Sequence, residues 1–152
     1  MSNFYIDVIQ KSPLFHTTNR VNDLNMLFPA FRTKIEALLI ESEKSEAPLM
    51  VLETFRSSER QLQLYEAKAT QLKTVGVHHY GLAVDIVKKV NGEPSFFGDF
   101  SFLGKLAKNQ GLIWGGDWGE PNKPHTFRDM DHIQFIPVSD QNKLFAGTWY
   151  PS

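Results

Sequence analysis

This sequence predicts an α+β fold, a central antiparallel sheet flanked by helices, and three observations predict it. Short apolar runs rich in β-branched residues mix with amphipathic helical segments in no regular order. The Asn91-Gly92 pair follows one such run as a tight-turn signal for an antiparallel hairpin. Neither a regular βαβ repeat nor a glycine-rich phosphate loop occurs, which separates the chain from doubly wound α/β folds.

Taken in order, the first twenty residues carry no clear period. From Pro29, "PAFRTKIEALLIESEK" puts Phe31, Ile35, Leu38 and Leu39 on one helical face, with Pro29 suited to the first turn. "PLMVLETF", residues 48 to 55, is short, apolar and bounded by charged and polar residues, so a buried strand is expected with Arg56 at its end. Ser57 or Ser58 can cap a helix through "ERQLQLYEAKA", in which Leu62 and Tyr65 share a face. "TQLKTVGV" has no period and is expected as an exposed loop. "LAVDIVKKV" is a strand opening a hairpin at Asn91-Gly92. Asp99 can cap a helix through "FSFLGKLAKNQ", with Phe102, Leu103 and Leu106 facing inward and Gly111 ending it. "LIWGG" and "HIQFIP" complete the set as short strands.

Composition narrows the function. The chain has 152 residues, 41% of them hydrophobic, which suits one domain over residues 1–152 with a core of its own. Its 16 basic and 17 acidic residues nearly cancel and form no cationic cluster, so no nucleic-acid partner is expected. No apolar run is long enough to span a bilayer, and "MSNFYIDVIQKSPLF" lacks the pattern of a signal peptide. Synthesis in the cytoplasm without stable membrane insertion is therefore expected. The absence of cysteine excludes disulfides and thiolate ligands, and leaves His and carboxylate to hold any metal.

"HHYGLAVDIV" offers such a set. His78 precedes the Tyr80-Gly81 turn and Asp85 sits in the strand beyond it, so a reversal at Gly81 can bring both side chains to one point. An acid inside "LAVDIV" is costly to bury unless paired or bound to a cation; the alternative is a surface position on an edge strand. A third ligand is available in "FRDMDHIQF", where His132 opens a strand. Three such ligands leave a position for water on a catalytic zinc, whose pKa then falls to about 7. Asp129 is the candidate general base, provided a turn or bulge offsets the strand parity that separates it from His132. Asp131 competes, but as His132's direct neighbour on a strand it is expected on the opposite face. Arg56 is a solvated cation or, more sharply, a group acting on a substrate carboxylate or the scissile carbonyl. "WGGDWGE" is a hydrophobic corner or a groove wall. His16, His79 and His125 are assigned structural or solvated roles.

Together these motifs resemble the M15 zinc peptidases. "HHYGLAVD" matches the family's His-x-x-Gly-x-Ala-x-Asp signature and "DMDH" its later Asp/Glu-x-x-His element. "FRSSERQ" is similar to the Arg-Ser-x-x-x-Gln stretch ahead of the signature, and "WGGDW" with "FRDMDH" resembles the L-alanyl-D-glutamate peptidase branch, which includes phage endolysins. The likeness runs from about Pro29 to about Phe135 and places the domain core at about 29–136. It implies a hedgehog/DD-peptidase fold with one Zn2+ per chain on His78, Asp85 and His132, Asp129 as general base and Arg56 as the stabilising arginine. Gly76 stands where Ser is frequent, and Asp131 where Pro is common.

The function implied is cleavage of the L-alanyl-D-glutamate bond in peptidoglycan stem peptides. The enzyme would be a monomer released to the cell wall during phage or prophage lysis. A D-alanyl-D-alanine dipeptidase or carboxypeptidase shares the ligand set. A zinc-containing binding module without catalysis is the reading from another class.

Overall fold

The structure, a computed structural model, describes residues 2–45, 47–70, 72–118 and 129–152. In chain order the strands are β1 (Leu49–Glu53), β2 (Ala83–Val90), β3 (Glu93–Ser95), β4 (Ile113–Trp114) and β5 (His132–Gln134). The α-helices are α1 (Pro29–Lys44), α2 (Ser58–Glu66), α3 (Ser101–Asn109) and α4 (Gln141–Phe145). All strand pairs are antiparallel, in the order β1-β2-β5-β4, with β3 on the outer half of β2. The α+β prediction holds.

β2 is the axis because its β-branched run is apolar on both faces and buried from Ala83 to Val87. Asn91 and Gly92, both at positive φ, return the chain into β3 as the sequence predicts. α1 keeps its predicted bounds, with Pro29 at its start, and buries Phe31, Ile35 and Leu38 completely. Full burial of each such side chain contributes about 1.5–3 kcal/mol. The N-cap of α3 is Phe100 rather than the expected Asp99, whose carboxylate instead accepts from the Ser101 N–H at 2.9 Å one residue ahead of the cap; the helix stops before Gly111 at φ 72°.

Trp114 closes the core between β4 and α3. A Cβ on either Gly104 or Gly116 would fall inside its indole ring, so those glycines let helix and turn press against it. Its Nε1 donates to the Met130 carbonyl at 2.7 Å, which ties this corner to the segment before β5.

Two regions take forms that the sequence leaves open. Leu62 and Tyr65 share a face of α2 but stay exposed, because that helix is fixed by polar anchors. Ser57 accepts from the Arg60 N–H at 2.9 Å, and buried Gln61 donates to the Leu72 carbonyl at 2.8 Å. Residues 2–21, aperiodic in sequence, form a π-helical turn (Tyr5–Ile9) and further turns. They place Ile9 and Val21 with Met26 and Phe55 in a second apolar cluster under the end of β1.

Candidate metal centre

The site forms where the turn Val77–Tyr80 feeds β2. Gly81 ends that turn at φ 73°, and a Cβ there would come within 2.6 Å of the Met26 carbonyl oxygen. Both the dihedral and the close approach demand glycine. The reversal brings His78 Nε2 to 3.2 Å from Asp85 Oδ1. On the other side of the ring, Nδ1 lies 2.7 Å from the Thr54 carbonyl, which can only accept. His78 therefore carries a hydrogen on Nδ1, which leaves Nε2, the nitrogen facing Asp85, as the one able to bind an ion.

Asp85 is on the central strand, so the edge-strand alternative fails. It pairs with Glu53 of β1 on one side and His132 of β5 on the other, giving a row of three side chains on one face. The row depends on a β-bulge between Val51 and Glu53. Without the extra residue Leu52 would oppose Asp85, and Glu53 would point to the other face. His132 Nδ1 reaches to 3.5 Å from the same Asp85 Oδ1, while its Nε2 lies 2.9 Å from Gln134 Oε1. Burial pushes the Asp85 carboxyl up, but the charge and hydrogen bonds of His78 and His132, when those rings are protonated, outweigh it and hold it well below the usual carboxylate range.

A turn offsets Asp129 from the strand, as its candidacy requires. The His132 N–H donates to the Asp129 carbonyl at 3.2 Å, and the Asp129 N–H donates to Gly115 at 3.0 Å. A Cβ on Gly115 would collide with the Asp129 backbone and touch His132, so this glycine sets how closely the turn approaches. Asp129 Oδ2 lies 4.0 Å from His132 Nδ1.

Asp131 does not point away. β5 begins at His132, so strand parity does not extend back through the turn, and carboxylate oxygens of Asp85, Asp129 and Asp131 lie within 4.8 Å of one another. Burial, the hydrogen bond with Asp129 and the neighbouring negative charge push the Asp131 carboxyl up to about 9. At neutral pH Asp131 therefore keeps its proton and donates a hydrogen bond to Asp129.

Arg56 is no solvated cation. Its Nη2 donates to Glu53 Oε1 at 2.8 Å and lies 3.4 Å from Asp85 Oδ2, and Nη1 donates to Gln61 Oε1 at 3.2 Å. Its buried Nε has no partner among the described residues. Arg60 also pairs with Glu53. Burial pushes the Glu53 carboxyl up, but these two guanidinium groups hold it below the usual range. Sequence reasoning missed Glu53, Arg60 and Gln134; the acid within the apolar run "LMVLE" was the one available signal.

The remaining motifs divide. Trp114 is a core corner, whereas the Trp118 ring faces the His132 ring at 5.1 Å and walls the site. His79 is structural: it is buried among aromatic rings, with Nε2 2.8 Å from the Tyr5 hydroxyl, and burial lowers its pKa. His16 is an exposed partner of Glu59. His125 lies outside the described residues.

The donor set fits zinc. Ligand atoms about 2.0–2.1 Å from a tetrahedral ion sit about 3.3 Å apart. Here two ring nitrogens lie 3.2 and 3.5 Å from one carboxylate oxygen, with potential ligand atoms of all three residues within 4.8 Å of one another.

Residues 70–135 match the family model described as Peptidase M15, D-alanyl-D-alanine carboxypeptidase. The chain is 25% identical over 145 residues to the peptidoglycan L-alanyl-D-glutamate endopeptidase CwlK of Bacillus subtilis, covering 81% of this chain and 83% of that one. It is similar to the crystal structure of the L-Ala D-Glu endopeptidase ChiX of Serratia marcescens, with a TM-score of 0.58 and 26% identity over 86% of this chain and 95% of that one. The fold is shared with the D,D-pentapeptidase VanY of the VanB-type resistance cassette, crystallised with Zn(II), at a TM-score of 0.53 and 15% identity over 79% and 78% of the two chains. Over residues 70–135 the chain matches the M15 family model, and along most of its length it is similar in sequence and fold to peptidoglycan peptidases.

Proposed function

We propose that this chain is a zinc peptidase that hydrolyses the L-alanyl-D-glutamate bond of peptidoglycan stem peptides, using one ion held by His78, Asp85 and His132. The observation that carries the proposal is the convergence of two histidine nitrogens on one carboxylate oxygen, with a further carboxylate, Asp129, 4.0 Å from His132 Nδ1. The L-alanyl-D-glutamate bond is preferred because both CwlK and ChiX, which match most of this chain, carry that activity in their names.

M15 peptidases are zinc-dependent, and the ion supplies Lewis acidity and a water nucleophile at neutral pH. This chain's residues handle the protons and the charge. Asp129, held at the mouth by its turn, accepts a proton from the attacking water as the oxygen adds to the scissile carbonyl carbon. When the carbon–nitrogen bond breaks, the same carboxyl returns that proton to the leaving amine. Arg56, braced by Glu53, faces the negative charge that develops on the carbonyl oxygen. The substrate lies in the cell wall, which suits a monomeric lysis enzyme that leaves the cytoplasm through a separate membrane pore. Among the described residues no helix is long and apolar enough to cross a membrane.

A second reading, cleavage of D-alanyl-D-alanine, is favoured by the description of the matching family model. Synthetic stem pentapeptides separate the two. Mass spectrometry should find free L-alanine and a shortened peptide beginning with D-glutamate, with the D-alanyl-D-alanine end intact. Release of D-alanine or its dipeptide alone would transfer the activity to the second reading.

A further inference from the structure

We propose that Gln134 is a positioning residue for His132, fixing the ring tautomer whose Nδ1 faces the point shared with His78 and Asp85. The inference rests on the proposed role of His132 as a ligand and extends it to a residue outside the signature motifs.

Hydrogen-bond polarity runs outward from a group whose own polarity is certain. The carbonyl of Ile136 has no hydrogen to give. Gln134 Nε2 lies 2.7 Å from that oxygen and 2.9 Å from Gln141 Oε1, so the amide NH2 must face this side. The amide oxygen is thereby turned the other way, 2.9 Å from His132 Nε2. That oxygen only accepts, so Nε2 carries a ring hydrogen, and Nδ1, 3.5 Å from Asp85 Oδ1, is the nitrogen whose lone pair can be given to an ion. His78 is set by the same logic in mirror image, with the Thr54 carbonyl taking its Nδ1 hydrogen. The two histidines thus present opposite ring nitrogens, each dictated by a backbone carbonyl.

Gln134 is suited to the task by position and burial. It stands two residues beyond His132 on β5, on the same face, and is only 1% exposed, so bulk water has little access to replace its contact. An amide serves where a carboxylate would not, because a carboxylate would set a negative oxygen against the Ile136 carbonyl.

The test uses Gln134→Leu and Gln134→Glu alongside the wild type. Zinc dissociation constants are measured by competition with a chromophoric chelator, and thermal midpoints in metal-free protein. The hydrogen-bearing ring nitrogen of His132 is identified by 1H–15N correlation in the zinc-loaded wild type. We expect the hydrogen on Nε2. Gln134→Leu should weaken zinc binding about 10- to 100-fold, the usual cost of losing such a partner, in a chain that stays folded. Gln134→Glu retains an acceptor for the ring but opposes Ile136, so it should lower the thermal midpoint more than it weakens zinc binding. A hydrogen on Nδ1, unchanged zinc affinity in the Leu variant, or zinc losses that track thermal stability in both variants would overturn the inference. Should Gln134→Leu fail to fold, the wild-type spectrum and the Glu variant still decide. Failure of the wild type to bind zinc would instead defeat the ligand assignment itself.

Discussion

Asp129 and Asp131 are two carboxyls in one turn, of which Asp131 is the one pushed up by burial and by its neighbours, and their chemistry is separable by substitution. Asp129→Ala should keep zinc and fold while losing about 10²- to 10⁴-fold in turnover, as expected for a general acid/base group. Asp131→Asn still offers Asp129 a donor, so its loss should stay below about tenfold; assays under matched zinc loading check the ranking, and the reverse order would transfer the role to Asp131. Arg56→Ala should retain zinc but lose about a hundredfold in rate, with little recovery in Arg56→Lys, because the native group divides its donors among Glu53, Asp85 and Gln61. At this scale the signature residues were legible because His and Asp in an apolar run have few structural excuses. Gln134 was not, since a polar residue in a short strand gives no sign that it lies inward. Asp131 was misplaced because strand parity was carried across the start of β5.

Among the elements, the bulge in β1 and the Gly115 turn position the site without supplying ligands. The bulge delivers Glu53, whose carboxyl is held below its usual range in the fold by Arg56 and Arg60 against the cost of burial. A depressed folded pKa means that this stabilisation is fully present above the ordinary value of 4.5 and is lost as pH falls through the lower, folded one. Glu53→Gln should therefore cost about 3 kcal/mol at neutral pH, typical of breaking a buried pair, and the difference from wild type should shrink in acid. Urea denaturation in the two conditions reads it. Gly115→Ala should displace the Asp129 turn and lower turnover about a hundredfold, the scale of an ångström's misplacement, while His78 and Asp85 stay in place. The long periodic helix α1, the hairpin and the glycine stop of α3 could all be read from the sequence because local chemistry dictates them. The bulge could not, as it is set by how β1 meets β2. Nor could the fold of residues 2–21, whose apolar side chains reach the core one turn at a time.

At the scale of the whole molecule, the centre joins parts of the chain that no short segment could hold together: the end of β1, the turn before β2, β2 itself, and β5 with the turn ahead of it. An ion bound only by the folded chain should stabilise it by mass action, about 2.7 kcal/mol at a free concentration 100-fold above Kd. Chelation should lower the melting temperature of wild type but leave that of His132→Ala almost unmoved. The most direct measurement is a zinc titration of metal-depleted protein, following bound metal and stem-peptide cleavage together. The account predicts that both rise in proportion and break at one ion per chain, with neither rising in His78→Ala, Asp85→Ala or His132→Ala. Undiminished cleavage by the depleted protein, or full zinc occupancy in all three variants, would contradict it.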